Sequence, residues 1–411
     1  MRINKSFFLK AILFVLIYLN SGALWSNTQL FNIEYLQEIY LSLLVFWSGL
    51  YLADKMNLSK KMTSGEAFIL ILVLFLIVTP AIFSYLNFGQ PIYYGFIEER
   101  RALSYLIFFP LYQSLSNRTI SPIWVINSVL VVCVINGINS IWYFMDIKSQ
   151  YVIDTINTMN ARYDRTIIGS YYMLFAYIYL YWNWLKMGRY INLPFILLII
   201  VYFILFVQTK QILAVVLGLT FILILLHLKR SVWLICAALI SFEAIYLIVD
   251  IGIYYEKYDV IIYATLSNEA TIRSATASSI IQDLSDNLFI FGKGSLSALW
   301  NGGFHPIFGD NFFLSDVGIL GTYYRFGVLA LPLSIFYYSF FMKSYFDLGN
   351  LRADSIPIAA ISFVICSMFL NILTPVIEYN GFYMAICLAL LVTYRKIRVI
   401  NCDVSNVQSA S

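Results

Sequence analysis

Residues 309–327, GDNFFLSDVGILGTYYRFG, place two carboxylates, Asp310 and Asp316, two glycines three apart and a guanidinium, Arg325, directly before unbroken apolar sequence. Carboxylates can take a proton from a hydroxyl, and a guanidinium can grip a phosphate with two parallel hydrogen bonds. A charge at the centre of a membrane span costs about 2.5–3.5 kcal/mol on insertion scales, so such a residue normally faces a cavity or a partner. For a helix starting near Phe313, the spacing puts Gly318, Gly321 and Arg325 on one face, where a second helix can approach closely. Two readings stand: Arg325 serves an anionic ligand, or it pairs with a carboxylate to fix the bundle.

Other cations sit in comparable settings. Lys210, in VQTKQ, separates two apolar runs; it either caps a tight hairpin and reaches water or is held by two helices ready for a phosphate. Arg101, in FIEERRALSY, shares a helical face with Ser104 and Tyr105, and Glu98 and Glu99 are near enough to neutralise an interfacial cluster. Arg162 and Arg165, in NARYDRTIIG, repeat that situation beside Asp164. Asn136, Asn139 and Ser140 form a polar stripe that either joins helices by hydrogen bonds or lines a wet cavity. Residues 271–285 read as an amphipathic helix with Arg273 near its start, and Gly292 and Gly294 suit either a plain turn or an anion nest.

The elements that must hold these groups are set by composition. Of the residues 61% are hydrophobic and 12% charged, with mean hydropathy +0.79, against roughly 25% charged in soluble domains. The expectation is an all-α polytopic integral membrane protein, one membrane domain over residues 1–411. A span needs about 20 apolar residues. Twelve candidates lie near 7–25, 35–53, 66–87, 101–117, 121–145, 167–185, 191–207, 211–228, 231–254, 317–342, 356–377 and 380–394. The basic, apolar start resembles a signal peptide, but Lys10 interrupts its core, so a retained first helix is expected.

Lys and Arg in the short connections put both termini in the cytoplasm, with fifteen cations on that side and nine on the other. The nine include Arg100, Arg101, Arg162, Arg165, Lys210, Arg273 and Lys293, more than the insertion rule asks for. A large extracytoplasmic loop with short helices, residues 255–316, separates spans 9 and 10, and 395–411 reads as a cytoplasmic tail. No CxxC pair exists and two histidines do not make a metal site, so neither metal nor cofactor is expected. The net charge of +4 follows from insertion and gives no reason to invoke nucleic acid. Cations at one face of a membrane protein suit a lipid-linked sugar pyrophosphate.

The loop sequence IRSATASSIIQDLSDNLFIFGKG followed by DNFFLSDVGILGTYYRFG resembles the O-antigen repeat-unit polymerase and O-antigen ligase superfamily. Arg273, Gly292, Gly294, Asp310, Asn311, Gly318 and Gly321 stand at its arginine, GxG, acid-Asn and GxxG positions. The chain departs where Thr209-Lys210 replaces a Ser/Thr-x-Arg pattern, and where Asp310 stands in place of the ligase branch's histidine. The second departure favours polymerase.

The resemblance implies a GT-C-like glycosyltransferase architecture in a bacterial inner membrane, with the site facing the periplasm. It implies metal-independent glycosyl transfer from one undecaprenyl-pyrophosphate-linked oligosaccharide to another, with a chain-length regulator as a further partner. In that scheme Arg273, Asp310 and Asp316 are catalytic, and Arg101, Arg162, Arg165, Lys210 and Arg325 bind pyrophosphate. An O-antigen ligase is the first alternative and a flippase the second, although transporters usually show internal repeats and none is visible.

Overall fold

A computed structural model describes residues 5–21, 35–151, 169–207, most of 212–220, 276–283, 290–297, 299–301, 314, 317–372 and 374–409. Among them the structure is helical, with an isolated antiparallel bridge between Phe291 and Gly327 and no strand. The helices are α1 (Lys5–Asn20), α2 (Leu36–Asn57), α3 (Ser64–Phe88), α4 (Ile92–Glu98), α5 (Phe108–Ser116), α6 (Pro122–Tyr151), α7 (Ser170–Met187) and α8 (Asn192–Tyr202). They continue as α9 (Gly318–Phe326), α10 (Ala330–Phe346), α11 (Ser355–Leu370), α12 (Val376–Tyr379) and α13 (Gly381–Ser409).

Three of these, α2, α3 and the Pro122–Trp142 part of α6, are long and apolar enough to cross a membrane, and Ser6–Asn20, Asn192–Val207 and Ser355–Leu370 are shorter apolar helices. The outward face of α2 shows what surrounds the bundle. Ile39, Leu43, Phe46 and Leu50 recur at helical spacing and are all 49% or more exposed. In water such a stripe promotes association; against lipid tails it is the solvated surface. Conversely, α7 is buried from Ser170 to Asn183 almost all round, as expected of a helix at the centre of a bundle. Around it pack α6, α8 and α11, and α11 in turn meets α13.

Local sequence explains the ends of α3. Thr63 caps its start in a reciprocal box: the Thr63 amide donates to Glu66 at 2.5 Å, and Glu66 N donates back to the threonine hydroxyl at 3.4 Å. The buried Glu66 carboxylate also receives Lys55 and Tyr51 from α2, so this end is a closed ion pair. Pro80 lies inside α3, and Gly89 ends it at φ 72°. At about 1.5 Å per residue the helix is roughly 36 Å long. Lys55 therefore lies at one end of the bundle and the Glu99 region at the other. Gly65 packs against Val392 of α13 and Gly381 against Tyr105, which aligns α13 with the same two ends.

Two expectations change on the structure. The apolar run 317–342 is not one span: α9 stops at Gly327, whose φ is 60°, and α10 starts three residues later. Arg325 therefore lies in the last turn of a short helix, where a cation complements the exposed carbonyls. The run from 101 begins as a 3-10 helix, Glu99–Ile107, so Arg101 and Ser104 eclipse each other while Tyr105 turns away. The expected tail from 395 is helical as far as Ser409, as a continuation of α13. The spans expected at 211–228 and 231–254 lie wholly or largely outside the described residues, as does most of the 255–316 loop.

The break at Gly327 is built by tertiary contact. Val328 N donates to Ile290 O at 2.8 Å, and a Cβ on Gly327 would run into that same carbonyl. At φ 60° and ψ −139° Gly327 occupies a region that is nearly closed to other residues, so Gly327→Ala is expected to cost about 1–3 kcal/mol for the backbone alone, with the clash added. A lowered midpoint in thermal unfolding of the detergent-solubilised protein would show it; an unchanged midpoint would contradict the geometry.

Candidate functional site

At the Glu99 end of the bundle a charged cluster forms where α9, α12 and the 3-10 helix meet. Arg325 is 2% exposed and Glu378 is 2% exposed. The guanidinium donates Nη1 to Glu378 Oε2 and Nη2 to the Tyr379 hydroxyl, and its Nε lies 3.6 Å from Glu99 Oε1. Burying such charges is tolerable because each sits against its opposite. Asn371 places Glu378: its side-chain oxygen accepts the Val376 amide at 2.7 Å and so caps α12. Tyr105 steadies the same helix by donating to Ile377 O at 2.8 Å, and its hydroxyl meets that of Tyr337, also at 2.8 Å.

The Tyr379 ring has one guanidinium within 5.0 Å, Arg325, and a second within 5.6 Å, Arg101. The two differ in access. Arg325 is enclosed by carboxylates, whereas Arg101 is exposed. Arg100 folds back, donating to Ile97 O at 2.6 Å and approaching Glu38 of α2 at 3.4 Å. Glu98 is half-buried. Burial and the neighbouring Glu99 hold its carboxyl above the ordinary value, against the pull of Arg325, Arg100 and Arg101.

The described part of the long loop is sewn into this cluster. The Ser295 hydroxyl donates to Glu99, the carboxylate that also faces Arg325. Gln90 donates to Ser295 O at 3.1 Å and accepts the Ser297 amide at 2.8 Å, while Asn87 donates to Gly292 O at 3.2 Å. The glycines of FGKG serve close backbone contact. A Cβ on Gly292 would strike Arg325 O, and Gly294, at φ 80°, lies on Pro80 O and Ser84 N of α3. The Lys293 and Gly294 amides donate to Tyr324 O at 2.7 Å and Arg325 O at 3.2 Å, so these two are spent on the end of α9 rather than open to an anion. Lys293 pairs with Asp283.

Of the residues singled out from sequence, Arg101 and Arg325 meet here at Tyr379. Arg162, Arg165, Lys210, Arg273, Asp310, Asn311 and Asp316 lie outside the described residues. The close approach allowed by Gly321 is to Leu314 O. The stripe on α6 joins helices: Asn136 accepts from Ser21 at 3.3 Å, Asn139 donates to Tyr18 of α1 at 3.5 Å, and Ser140 meets Tyr202 of α8 at 2.8 Å. Sequence reasoning passed over Glu378 and Tyr379. Their signal was present, since an acid within LNILTPVIEYNGFYM is as conspicuous among apolar residues as Arg325.

No protein-family model matches the chain, and no curated protein resembles it closely enough to count as a relative.

Proposed function

We propose that this chain is a membrane glycosyltransferase that joins lipid-pyrophosphate-linked oligosaccharide units into a longer polymer. The observation that supports this reading best is the pairing at Tyr379. An exposed arginine shares one aromatic ring with a buried, carboxylate-held arginine, and the loop that carries the family-like motifs is tied to one of those carboxylates, Glu99. The charged site lies at the end of a bundle whose outer face is lipid-like, which suits a substrate with an ionic head and a tail that stays in the bilayer.

In this reading the acceptor hydroxyl oxygen bonds to the anomeric carbon as the bond from that carbon to the diphosphate oxygen breaks. The bonding electron pair leaves on the diphosphate. The hydroxyl proton passes to Asp310 or Asp316 and then to water. A diphosphate leaves without being protonated, unlike the alcohol expelled by a glycosidase, so positive charge takes the place of an acid. Arg273 and Lys210 supply that charge at the donor, and Arg101, with Arg162 and Arg165, holds the second diphosphate. Arg325 acts as a positioning residue: it fixes Tyr379 and Glu99, and through them Arg101 and the loop. A chain-length regulator would act on this enzyme from outside the site.

Sizing the surface glycans of a deletion strain tests the reading. Single-repeat caps in the deletion, restored to long chains by the wild-type gene but not by Arg273→Ala, are expected. Polymer accumulated on the lipid carrier would point to a ligase instead, and substrate trapped in the cytoplasm to a flippase. Full chain length with Arg273→Ala would remove that arginine from the mechanism.

A further inference from the structure

The end of the bundle opposite the charged cluster gathers positive charge in one corner, where α10, α11 and α13 meet. Gly65, at the Lys55 end of α3, packs against Val392, and Arg395 follows three residues later on α13. The segments 343–354 and 395–398 carry Lys343, Arg352, Arg395, Lys396 and Arg398 against two carboxylates, Asp347 and Asp354. Membrane insertion accounts for the number and side of cations in such connections, but it sets no geometry among them.

Here they converge. Arg395 Nη1 lies 3.3 Å from Asp347 Oδ2, and Arg398, one turn further along α13, donates to the Asp347 carbonyl. Arg352, in the 3-10 helix Gly349–Ala353, donates Nε to Gly349 O at 2.9 Å. Gly349 is at φ 57°, and a Cβ there would lie 2.6 Å from Arg398 Cζ, so its missing side chain lets that guanidinium settle on the turn. Three guanidinium groups thus meet on residues 347–349 with one carboxylate among them. Asp354 is exposed and forms no ion pair among the described residues. Arg352 and Lys396 are exposed, and both Nη groups of Arg352 are without a protein partner among the described residues.

The same corner borders the lipid-like surface. Leu331, Ile335 and Phe346 share one face of α10 and are all more than half exposed. Phe346 ends that stripe, and the Arg352 guanidinium lies over its ring, 6.0 Å from the centroid. The apolar face therefore stops under a cation, at the level where a bilayer changes from acyl chain to headgroup.

We propose that this corner binds the phosphate of an anionic phospholipid. Arg352 presents its two Nη groups as a fork to two phosphate oxygens, the geometry that a guanidinium favours. Arg395, Lys396 and Arg398 supply the excess charge that selects an anionic headgroup over a zwitterionic one. The acyl chains lie against Leu331, Ile335 and Phe346, which is what a soluble phosphate ester lacks. The site is independent of the chemistry proposed for the opposite end of the bundle.

Native mass spectrometry of the full chain, titrated in turn with phosphatidylglycerol, phosphatidylcholine and glycerol 3-phosphate, tests it. The first phosphatidylglycerol should bind about fivefold or more tightly than phosphatidylcholine, and Arg352→Gln should remove most of that preference, since one cation near a headgroup contributes about this factor. Arg352→Lys should fall between the two. Because Arg352 is exposed, the variants should unfold at the wild-type midpoint without lipid. Lys186→Gln removes another exposed cation, from the end of α7 beside the start of α11, and should change nothing. Equal affinity for the two lipids, or a preference retained by Arg352→Gln, would overturn the site. An equal loss in Lys186→Gln would replace it with diffuse attraction, and glycerol 3-phosphate binding as tightly as phosphatidylglycerol would replace the lipid with a soluble ester.

Discussion

Replacing Arg325 with methionine is expected to be among the most damaging single changes in this protein. Glu378, at 2% exposure, would keep its charge and lose the guanidinium that balances it. Removing one partner of such a pair costs about 3–5 kcal/mol, far more than the pair itself contributes over an apolar replacement. The double variant Arg325→Met/Glu378→Gln should therefore recover part of the loss, because Glu378 is no longer a stranded charge while the buried Glu99 still loses the guanidinium that faces it. Thermal unfolding of the four proteins of this cycle, in one detergent, gives the comparison. If the double variant were as unstable as the single one, the ion pair would not be the source of the effect. Neither variant should form polymer, since Tyr379 and the Glu99–Ser295 link lose their anchor in both.

Arg101→Ala is expected to leave the fold intact and remove most of the activity. The side chain is exposed, so little packing is lost, and what remains beside it is the Tyr379 ring. Loss of a preorganised charge contact typically lowers turnover by roughly 100-fold or more. Arg101→Lys should fall between the two, because an ammonium keeps the charge but not the forked geometry. Polymer formation from purified lipid-linked repeat units, read together with an unchanged unfolding midpoint, is the measurement. Wild-type turnover by Arg101→Ala would exclude the Tyr379 face as a diphosphate subsite.

The long apolar helices were legible because each carries its own signal. The run from 66 to 87 is apolar without a break from Ala67 to Val78 and mostly apolar beyond, with a Thr-x-x-Glu start and a glycine stop, and α3 follows it to within a residue or two. The break at Gly327 was not legible, because its cause lies outside the local sequence: the carbonyl of Ile290 comes from a segment 38 residues earlier. The 3-10 course of Glu99–Ile107 is likewise a choice of hydrogen-bond partner that hydrophobic periodicity does not encode. At the site, a lone arginine in apolar sequence announced itself, and the alternative that paired it with a carboxylate describes what surrounds it. Which carboxylate was a question of tertiary contact across 53 residues. The two glycines of FGKG illustrate the same limit, since a short turn and backbone seats against α9, for Gly292, and α3, for Gly294, share one pattern.

The order of the partners along the chain has a consequence for biogenesis. Glu378 follows Arg325 by 53 residues, so at about 5–20 residues per second the arginine emerges roughly 3–10 s before its principal counter-charge exists. Glu99 has already been translated by then, and its carboxylate, 3.6 Å from the guanidinium in the finished structure, is available to shelter the nascent arginine through that interval. Ribosome-bound chains truncated between the two residues are the ones that would present a stranded cation to the insertion machinery and to membrane proteases.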